Sequence, residues 1–138
     1  MTALERAERL ARAAHAGQRD LVGPYHLHLE RVVAMVEGDE AKAVAWLHDI
    51  IEDTAVSALD LLAAGIPEPV VDAVRVLTRT QPDVYLDYIK IIKTEGSAAA
   101  QAVKIADLVD HLRPLDPPVL KPERRRTYEK ALKAMVRP

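Results

Sequence analysis

Cysteine and phenylalanine are absent from this chain of 138 residues, and aromatic residues make up only 4% of it. The lack of cysteine excludes disulfides, a thiolate nucleophile and a cysteine-based zinc site. No apolar run approaches the length of a bilayer span, and the N-terminus is charged and amphipathic instead of carrying an apolar signal core. We therefore expect a soluble cytoplasmic protein without a membrane partner.

Neither sign of charge dominates the chain. Nineteen basic residues stand against 21 acidic ones, which gives a formal net charge of -2. No global field therefore favours nucleic acid or an anionic membrane. The basic triplet Arg124-Arg125-Arg126 has Glu123 and Glu129 close by, which favours a solvated helix face. We expect no nucleic-acid partner.

Helical periodicity runs through most of the sequence, and 49% of the residues are hydrophobic, enough for a packed core. Capping residues and Gly or Pro breaks divide it into segments. The predicted helices run from Thr2 to Gly17, Leu27 to Gly38, Ala41 to Ile51, Ser57 to Ala64, Pro67 to Leu77, Asp83 to Lys93, Ser97 to Leu112 and Pro122 to Met135. The third is apolar nearly all round, which predicts a central position. The predicted fold is all-α: one compact domain, residues 1–138, of about seven or eight helices.

His48 and Asp49 follow the apolar stretch of the predicted central helix, and Glu52 and Asp53 come directly after them. Charged groups at the end of a buried helix are costly unless a cation compensates them. If the helix continues, all four side chains share one polar end. In the alternative interpretation His48 caps the helix or packs, and Glu52, Asp53 and Thr54 begin a solvated turn. Acidic residues at a helix C-terminus oppose the macrodipole, which favours a metal site.

His28 and Asp107 are the candidate companions of this pair, because each is a metal-ligand type in a largely apolar segment. Two imidazoles and two carboxylates form a mixed nitrogen and oxygen set that suits Mn, Fe, Zn or Mg, with imidazole arguing somewhat against Mg. The alternatives are a cap or surface role for His28 and a simple salt bridge between Asp107 and Lys104.

Four segments, taken together, resemble those of the HD-domain phosphohydrolases, in particular the hydrolase domain of the Rel/SpoT family and its small stand-alone relatives. They are Ala14–Gln18 (AHxGQ), Pro24–His28 (PYxxHP, with Leu29 in place of the last Pro), Leu47–Thr54 (LHDxxEDT) and Val103–Asp107 (VKLAD, with one conservative change). The resemblance extends over roughly residues 3 to 113. It implies an all-helical HD-type fold.

The resemblance also implies a function. A single divalent metal, commonly Mn, would be held by His28, His48, Asp49 and Asp107. Glu52 and Asp53 would assist a metal-activated water, and the substrate class would be guanosine tetra- and pentaphosphate. We therefore expect a metal-dependent nucleotide phosphohydrolase resembling a (p)ppGpp 3'-pyrophosphohydrolase. The alternatives are an HD phosphatase acting on another phosphorylated nucleotide and a non-catalytic, nucleotide-binding HD sensor.

Phosphoryl transfer needs cations and hydrogen-bond donors around the phosphate oxygens. The candidate substrate-binding residues are Arg19, Tyr25, Lys104 and His111, with Arg113 as a further cation. Two departures from the family pattern affect this pocket. The stretch 19–23 is one residue shorter and has an acid in place of a base, and His111 stands where the family has Asn. These differences leave the metal ligands intact and alter the surroundings of the substrate.

Overall fold

The computed structural model describes residues 1–80 and 84–138, and these residues form nine helical segments and no strand. The segments are α1 (Ala3–Ala14), α2 (Tyr25–Met35), α3 (Asp39–Leu47), α4 (Ile50–Asp53), α5 (Ala58–Ala63), α6 (Glu68–Leu77), α7 (Tyr85–Glu95), α8 (Ala98–Leu112) and α9 (Pro122–Val136). The predicted all-α class is confirmed. Asp83, predicted to cap α7, lies outside the described residues. None of the described helices is long and apolar enough to cross a membrane.

Several helices begin at the caps that the sequence encodes. In the capping box of α1, the Glu5 N–H donates to Thr2 Oγ1 over 3.0 Å, and the Thr2 N–H donates to Glu5 Oε1 over 2.9 Å. Ser57 and Asp60 form the same arrangement at α5. Ser97 caps α8 through the Ala100 N–H, over 3.2 Å. These local bonds explain why the helix starts are close to the predicted ones.

Helix α3 lies at the centre of the bundle, as predicted. It packs against α1, α2, α6 and α8, and residues 43–47 are all buried. Because small Ala side chains alternate with Val44, Trp46 and Leu47, neighbouring helices approach α3 closely from several sides. The C-terminal end of α3 therefore delivers the next residue, His48, to the protein interior.

The predicted continuation of the central helix to Ile51 is wrong. Helix α3 ends at Leu47, Asp49 has φ -107° and ψ 2°, and a separate turn of helix, α4, follows. His48 Nδ1 donates to the Ala45 carbonyl oxygen over 2.7 Å, and in a continuous helix that oxygen would accept the Asp49 N–H. The imidazole therefore takes the acceptor that the next helical turn would need. This break raises the number of described segments to nine instead of seven or eight.

Helix α9 is fixed against α7 and α8 at the side of the bundle. Ala131 and Met135 bury one face of it. Lys93 of α7 donates to the carbonyl oxygens of Met135 and Arg137, over 2.8 and 2.6 Å, which satisfies free acceptors at the C-terminus of α9. The first turns of α9 are thereby held opposite the polar end of α8, where they form one wall of the cavity described below.

Candidate metal centre and adjoining cavity

The four predicted metal ligands meet at one point in the protein. His28 comes from α2, His48 and Asp49 from the turn after α3, and Asp107 from α8. His28 Nε2 lies 3.0 Å from Asp107 Oδ1, and His48 Nε2 lies 3.5 Å from the same oxygen. His48 Nε2 is also 3.1 Å from Asp49 Oδ2. On a continuous helix adjacent side chains diverge by about 100°, so the break after α3 is what brings His48 and Asp49 together.

Hydrogen bonds on the far side of each imidazole orient the two histidines. His48 Nδ1 donates to the Ala45 carbonyl oxygen, and His28 Nδ1 lies 2.6 Å from Asp110 Oδ2. Both partners are acceptors, so each Nδ1 is the donor and each ring directs Nε2 at the site. This is the arrangement in which metal-ligating histidines are normally held.

Three atoms at the centre of the site are buried and lack a hydrogen-bond partner: His28 Nε2, His48 Nε2 and Asp107 Oδ1. A buried, unpaired polar atom costs about 1–3 kcal/mol. Metal–ligand bonds of about 2.1 Å place neighbouring ligand atoms about 3.0–3.4 Å apart in octahedral or tetrahedral geometry. Of the distances given above, 3.0 and 3.1 Å lie within that spacing and 3.5 Å lies just beyond it. The donor set therefore fits a divalent metal ion.

The charges at this centre also favour a bound cation. Burial, together with the negative charges of Asp107 and Asp53, raises the pKa of Asp49 well above its ordinary value. Burial would raise the pKa of Asp107 too, but the positive charge of Lys104 and the adjacent histidines hold it well below its ordinary value. Burial lowers the pKa of His28, yet the negative charges of the neighbouring Asp107 and Asp110 outweigh this and raise it to about 9. A metal ion would compete with that imidazole proton.

Asp110 is a buried residue of the site that sequence analysis missed. Its carboxylate accepts from Arg31 Nε over 2.6 Å and from Arg113 Nη1 over 2.9 Å, in addition to its contact with His28. Burial raises the pKa of Asp110, but the hydrogen bonds from His28 and Arg31 lower it below its ordinary value. Arg113, considered as a phosphate ligand, thus contacts Asp110. The sequence does carry a signal for Asp110, because it lies three residues after the predicted ligand Asp107 and therefore on the same face of α8.

Glu52 and Asp53 lie beside Asp49 and face the cavity. Glu52 Oε1 accepts the backbone N–H of Arg79 over 2.6 Å. Asp53 Oδ2 accepts from Gln18 Nε2 over 3.3 Å. These bonds hold both carboxylates at the edge of the metal centre, where a reacting water would have to lie.

A cavity of about 640 Å³ opens directly over the metal centre. This volume is in the range of small-molecule sites. Its lining includes acidic, basic and aromatic side chains: Asp49, Glu52, Asp53, Arg79, Tyr85, Tyr88, Lys104, Asp107, His111, Lys121, Glu123, Arg124, Thr127 and Tyr128. The acidic side chains come mainly from the metal end, and α7 and α9 supply aromatic rings and cations. The cavity can therefore take a ligand that is both phosphorylated and aromatic.

Two of the four predicted substrate-binding residues, Lys104 and His111, line this cavity. Lys104 Nζ donates to Asp107 Oδ2 over 3.0 Å and lies 5.4 and 5.1 Å from the ring centres of Tyr85 and Tyr88. Burial lowers the pKa of Lys104, but the negative charge of Asp107 outweighs it and holds the pKa well above its ordinary value. Lys104 is therefore a charged group. His111 Nε2 lies 3.2 Å from Asp107 Oδ1.

The other two predicted substrate-binding residues are placed differently. The buried Tyr25 donates its hydroxyl to Asp49 Oδ2, so it orients a predicted ligand from outside the cavity lining. Arg19 is exposed in the loop before α2, where it bridges to Pro24, and it is not part of the lining. A substrate role for either residue stays a prediction.

The α9 wall was not predicted from the sequence. Lys121, Arg124 and Tyr128 all line the cavity. Sequence analysis assigned the basic triplet to a solvated face; Arg124 is indeed exposed, but it faces the cavity. The ring of Tyr128 lies 5.4 Å from that of His111. The signal was weak: Arg124 and Tyr128 are four residues apart, hence on one helix face.

The sequence matches no protein-family model, and no curated protein is significantly similar to it. Its structure does have a close match. The chain has the fold of a metazoan ortholog of SpoT. The TM-score is 0.79 at 24% sequence identity, and the match covers 99% of this chain and 86% of that one.

The matched SpoT ortholog hydrolyses ppGpp and plays a role in starvation responses. At this level of identity the likeness establishes the fold. The HD-type helical fold that the sequence motifs implied is therefore confirmed, and the assignment of chemistry depends on the side chains described above.

Proposed function

We propose that this protein is a metal-dependent phosphohydrolase of nucleotides, acting as a (p)ppGpp 3'-pyrophosphohydrolase. The observation that carries the proposal is the convergence of three buried, unpartnered ligand atoms at the base of a cavity lined with cations and aromatic rings. The ppGpp hydrolysis of the matched metazoan protein supports the substrate class. The ligands are His28, His48, Asp49 and Asp107, and Mn²⁺ is the expected ion, with Fe, Zn or Mg as alternatives.

The residues around the centre have distinct tasks in this mechanism. A divalent ion held by the four ligands would lower the pKa of a water molecule and so supply a nucleophile near neutral pH without cysteine or serine. Glu52, anchored through one oxygen by the Arg79 N–H, accepts the proton of the attacking water through its carboxylate. Asp53, held by Gln18, orients that water. Tyr25 holds Asp49 in place.

The cavity walls match the parts of a phosphorylated nucleoside. Lys104, Lys121 and Arg124 place positive charge around the cavity and would neutralise phosphate oxygens. The rings of Tyr85 and Tyr128, 5.5 Å apart between centroids, offer faces for a base or ribose. A simple phosphate ester would leave much of the 640 Å³ unfilled, so a nucleotide is the better match.

Product identification tests this proposal. The protein is incubated with Mn²⁺ and a panel of nucleotides, and pyrophosphate and orthophosphate are measured separately. We expect pyrophosphate from guanosine tetraphosphate, and no release after removal of the metal with a chelator. Orthophosphate from a different nucleotide would replace the substrate assignment with that of another HD phosphatase. Nucleotide binding without any turnover would contradict the enzymatic proposal and establish a sensor.

The Glu52→Gln substitution tests the proton acceptor. General base catalysis contributes about 10²–10⁴-fold, so we expect kcat to fall by that factor while the affinity for metal is unchanged. The amide keeps an oxygen for the Arg79 N–H, so the local structure is preserved. Glu37→Gln, at an exposed position outside the site, is the matched control. A fall of less than about threefold in kcat would contradict the assigned role, because it is far below the range for a general base.

A further inference from the structure

His111 lies at the metal centre and is not one of the four ligands proposed above. It is on α8, one turn after Asp107, and its Nε2 is 3.2 Å from Asp107 Oδ1. Its ring centre is 4.9 Å from that of His28. The ligand atoms of His28, Asp107 and His111 all lie within 4.8 Å of one another. Its side chain is 38% exposed, on the cavity side.

The atoms around Asp107 Oδ1 also indicate a common ion. Three imidazole nitrogens surround this buried oxygen, Nε2 of His28 at 3.0 Å, of His111 at 3.2 Å and of His48 at 3.5 Å. None of them makes a hydrogen bond to it with acceptable geometry. An ion pair would align an N–H with the oxygen. Ligand atoms around a common ion lie close together, but they point at the ion and not at one another. The atoms around Asp107 Oδ1 are arranged in this way.

We propose that His111 is a fifth protein ligand, so that the centre has three imidazoles and two carboxylates. The inference rests on the metal site of the proposed function and concerns the affinity of that site for Zn²⁺ relative to Mn²⁺. The distance of 3.2 Å between His111 Nε2 and Asp107 Oδ1 falls within the spacing of neighbouring ligand atoms, about 3.0–3.4 Å. A fifth ligand leaves one position of an octahedral ion for water or substrate instead of two.

A third imidazole changes the metal preference of the centre. Imidazole suits Zn, Fe and Ni, whereas carboxylate, carbonyl and water suit Mg and Mn. Replacing an oxygen ligand or a water by His111 therefore raises the affinity for Zn²⁺ relative to Mn²⁺. Tyr128 packs beside the ring, 5.4 Å away between centroids, and restricts its motion. We expect the wild-type protein to prefer Zn²⁺ over Mn²⁺ by a larger factor than a two-histidine centre does.

X-ray absorption spectroscopy of the Zn²⁺-loaded wild-type protein counts the imidazoles directly. Three imidazole ligands are expected, and His111→Asn should have two. In competition titrations the Zn²⁺/Mn²⁺ affinity ratio should fall at least about tenfold in His111→Asn, which is about 1.4 kcal/mol. His111→Ala checks that the new amide oxygen does not replace the lost nitrogen. His26→Asn, an exposed histidine of α2, is the matched control and should leave both measurements unchanged.

The outcomes separate this inference from the proposed function. Two imidazoles in the wild type, with the same affinity ratio in His111→Asn, would overturn the fifth ligand and leave His111 as a partner of Asp107. The phosphohydrolase proposal would then stand, because its four ligands would still bind metal. A wild-type protein that binds neither ion would overturn both proposals.

Discussion

Replacing Asp49 with alanine is expected to abolish metal-dependent turnover, with a fall of at least about 10³-fold in kcat/KM. The ion is asked to supply several kcal/mol of transition-state stabilisation, and about 4 kcal/mol corresponds to that factor. Asp49 Oδ2 lies 3.1 Å from His48 Nε2, so its loss opens the ligand set next to the cavity. Nucleotide hydrolysis and metal affinity, measured on the same preparation, check this result.

The same substitution is expected to leave the metal-free protein as stable as the wild type, or more stable. Burial and the charges of Asp107 and Asp53 raise the pKa of Asp49, so ionised Asp49 destabilises the metal-free fold. Removing functional groups that are held at an energetic cost often stabilises a protein. Urea unfolding with and without Mn²⁺ should therefore show metal-induced stabilisation in the wild type and none in the variant.

Two further variants make this test specific. Asp49→Asn keeps an acceptor for the Tyr25 hydroxyl, so it isolates the loss of the ligand charge from the loss of that hydrogen bond. Asp72→Asn, at an exposed position of α6, should retain both metal binding and activity. If Asp49→Ala still gained stability on addition of Mn²⁺, the ion would have to be bound elsewhere.

Helix positions were predictable because their causes are local. Thr2, Ser57 and Ser97 each bond a backbone N–H three residues on, and those bonds form in the structure as the sequence pattern indicates. The break after Leu47 was not predictable from periodicity. It depends on the His48 side chain taking the Ala45 carbonyl oxygen, a bond that an apolar pattern over residues 41–51 does not reveal.

The site residues also divide into those that sequence motifs mark and those that depend on how helices pack. The motifs identified His28, His48, Asp49 and Asp107, and the structure brings these four side chains together. The α9 wall depends on how the last helix packs across α7 and α8, so little besides their four-residue spacing marks Arg124 and Tyr128 in the sequence. Arg19 is the converse case: it is close to a motif in sequence but lies outside the cavity lining, and its substrate role stays a prediction.

Asp110→Ala is expected to destabilise the protein by about 3 kcal/mol. Removing one partner of a buried ion pair costs about 3–5 kcal/mol because the remaining charge is left uncompensated. Arg31 and Arg113 are 34% and 28% exposed and can regain water, which places the cost at the lower end. Asp110 itself is 4% exposed and holds the buried His28. Chemical denaturation of the metal-free protein measures this difference in the free energy of unfolding.

The same variant is expected to weaken metal binding by about 10–100-fold, the usual cost of losing a residue that orients a metal-bound histidine. Without Asp110, the His28 Nδ1 proton lacks its acceptor at 2.6 Å, and the ring is free to turn Nε2 away from the centre. Asp110→Asn keeps an acceptor oxygen and should recover most of the metal affinity but only part of the stability.

Arg31→Met separates the two effects of Asp110. It removes both bonds from Arg31 to Asp110, from Nε to Oδ1 over 2.6 Å and from Nη2 to Oδ2 over 3.2 Å, and leaves the contact between Asp110 and His28 in place. We expect it to lose stability with little change in metal affinity, because His28 stays oriented. If Arg31→Met and Asp110→Ala lost the same metal affinity, the contradiction would be clear. The loss would then come from a general destabilisation of α8 and not from the orientation of His28.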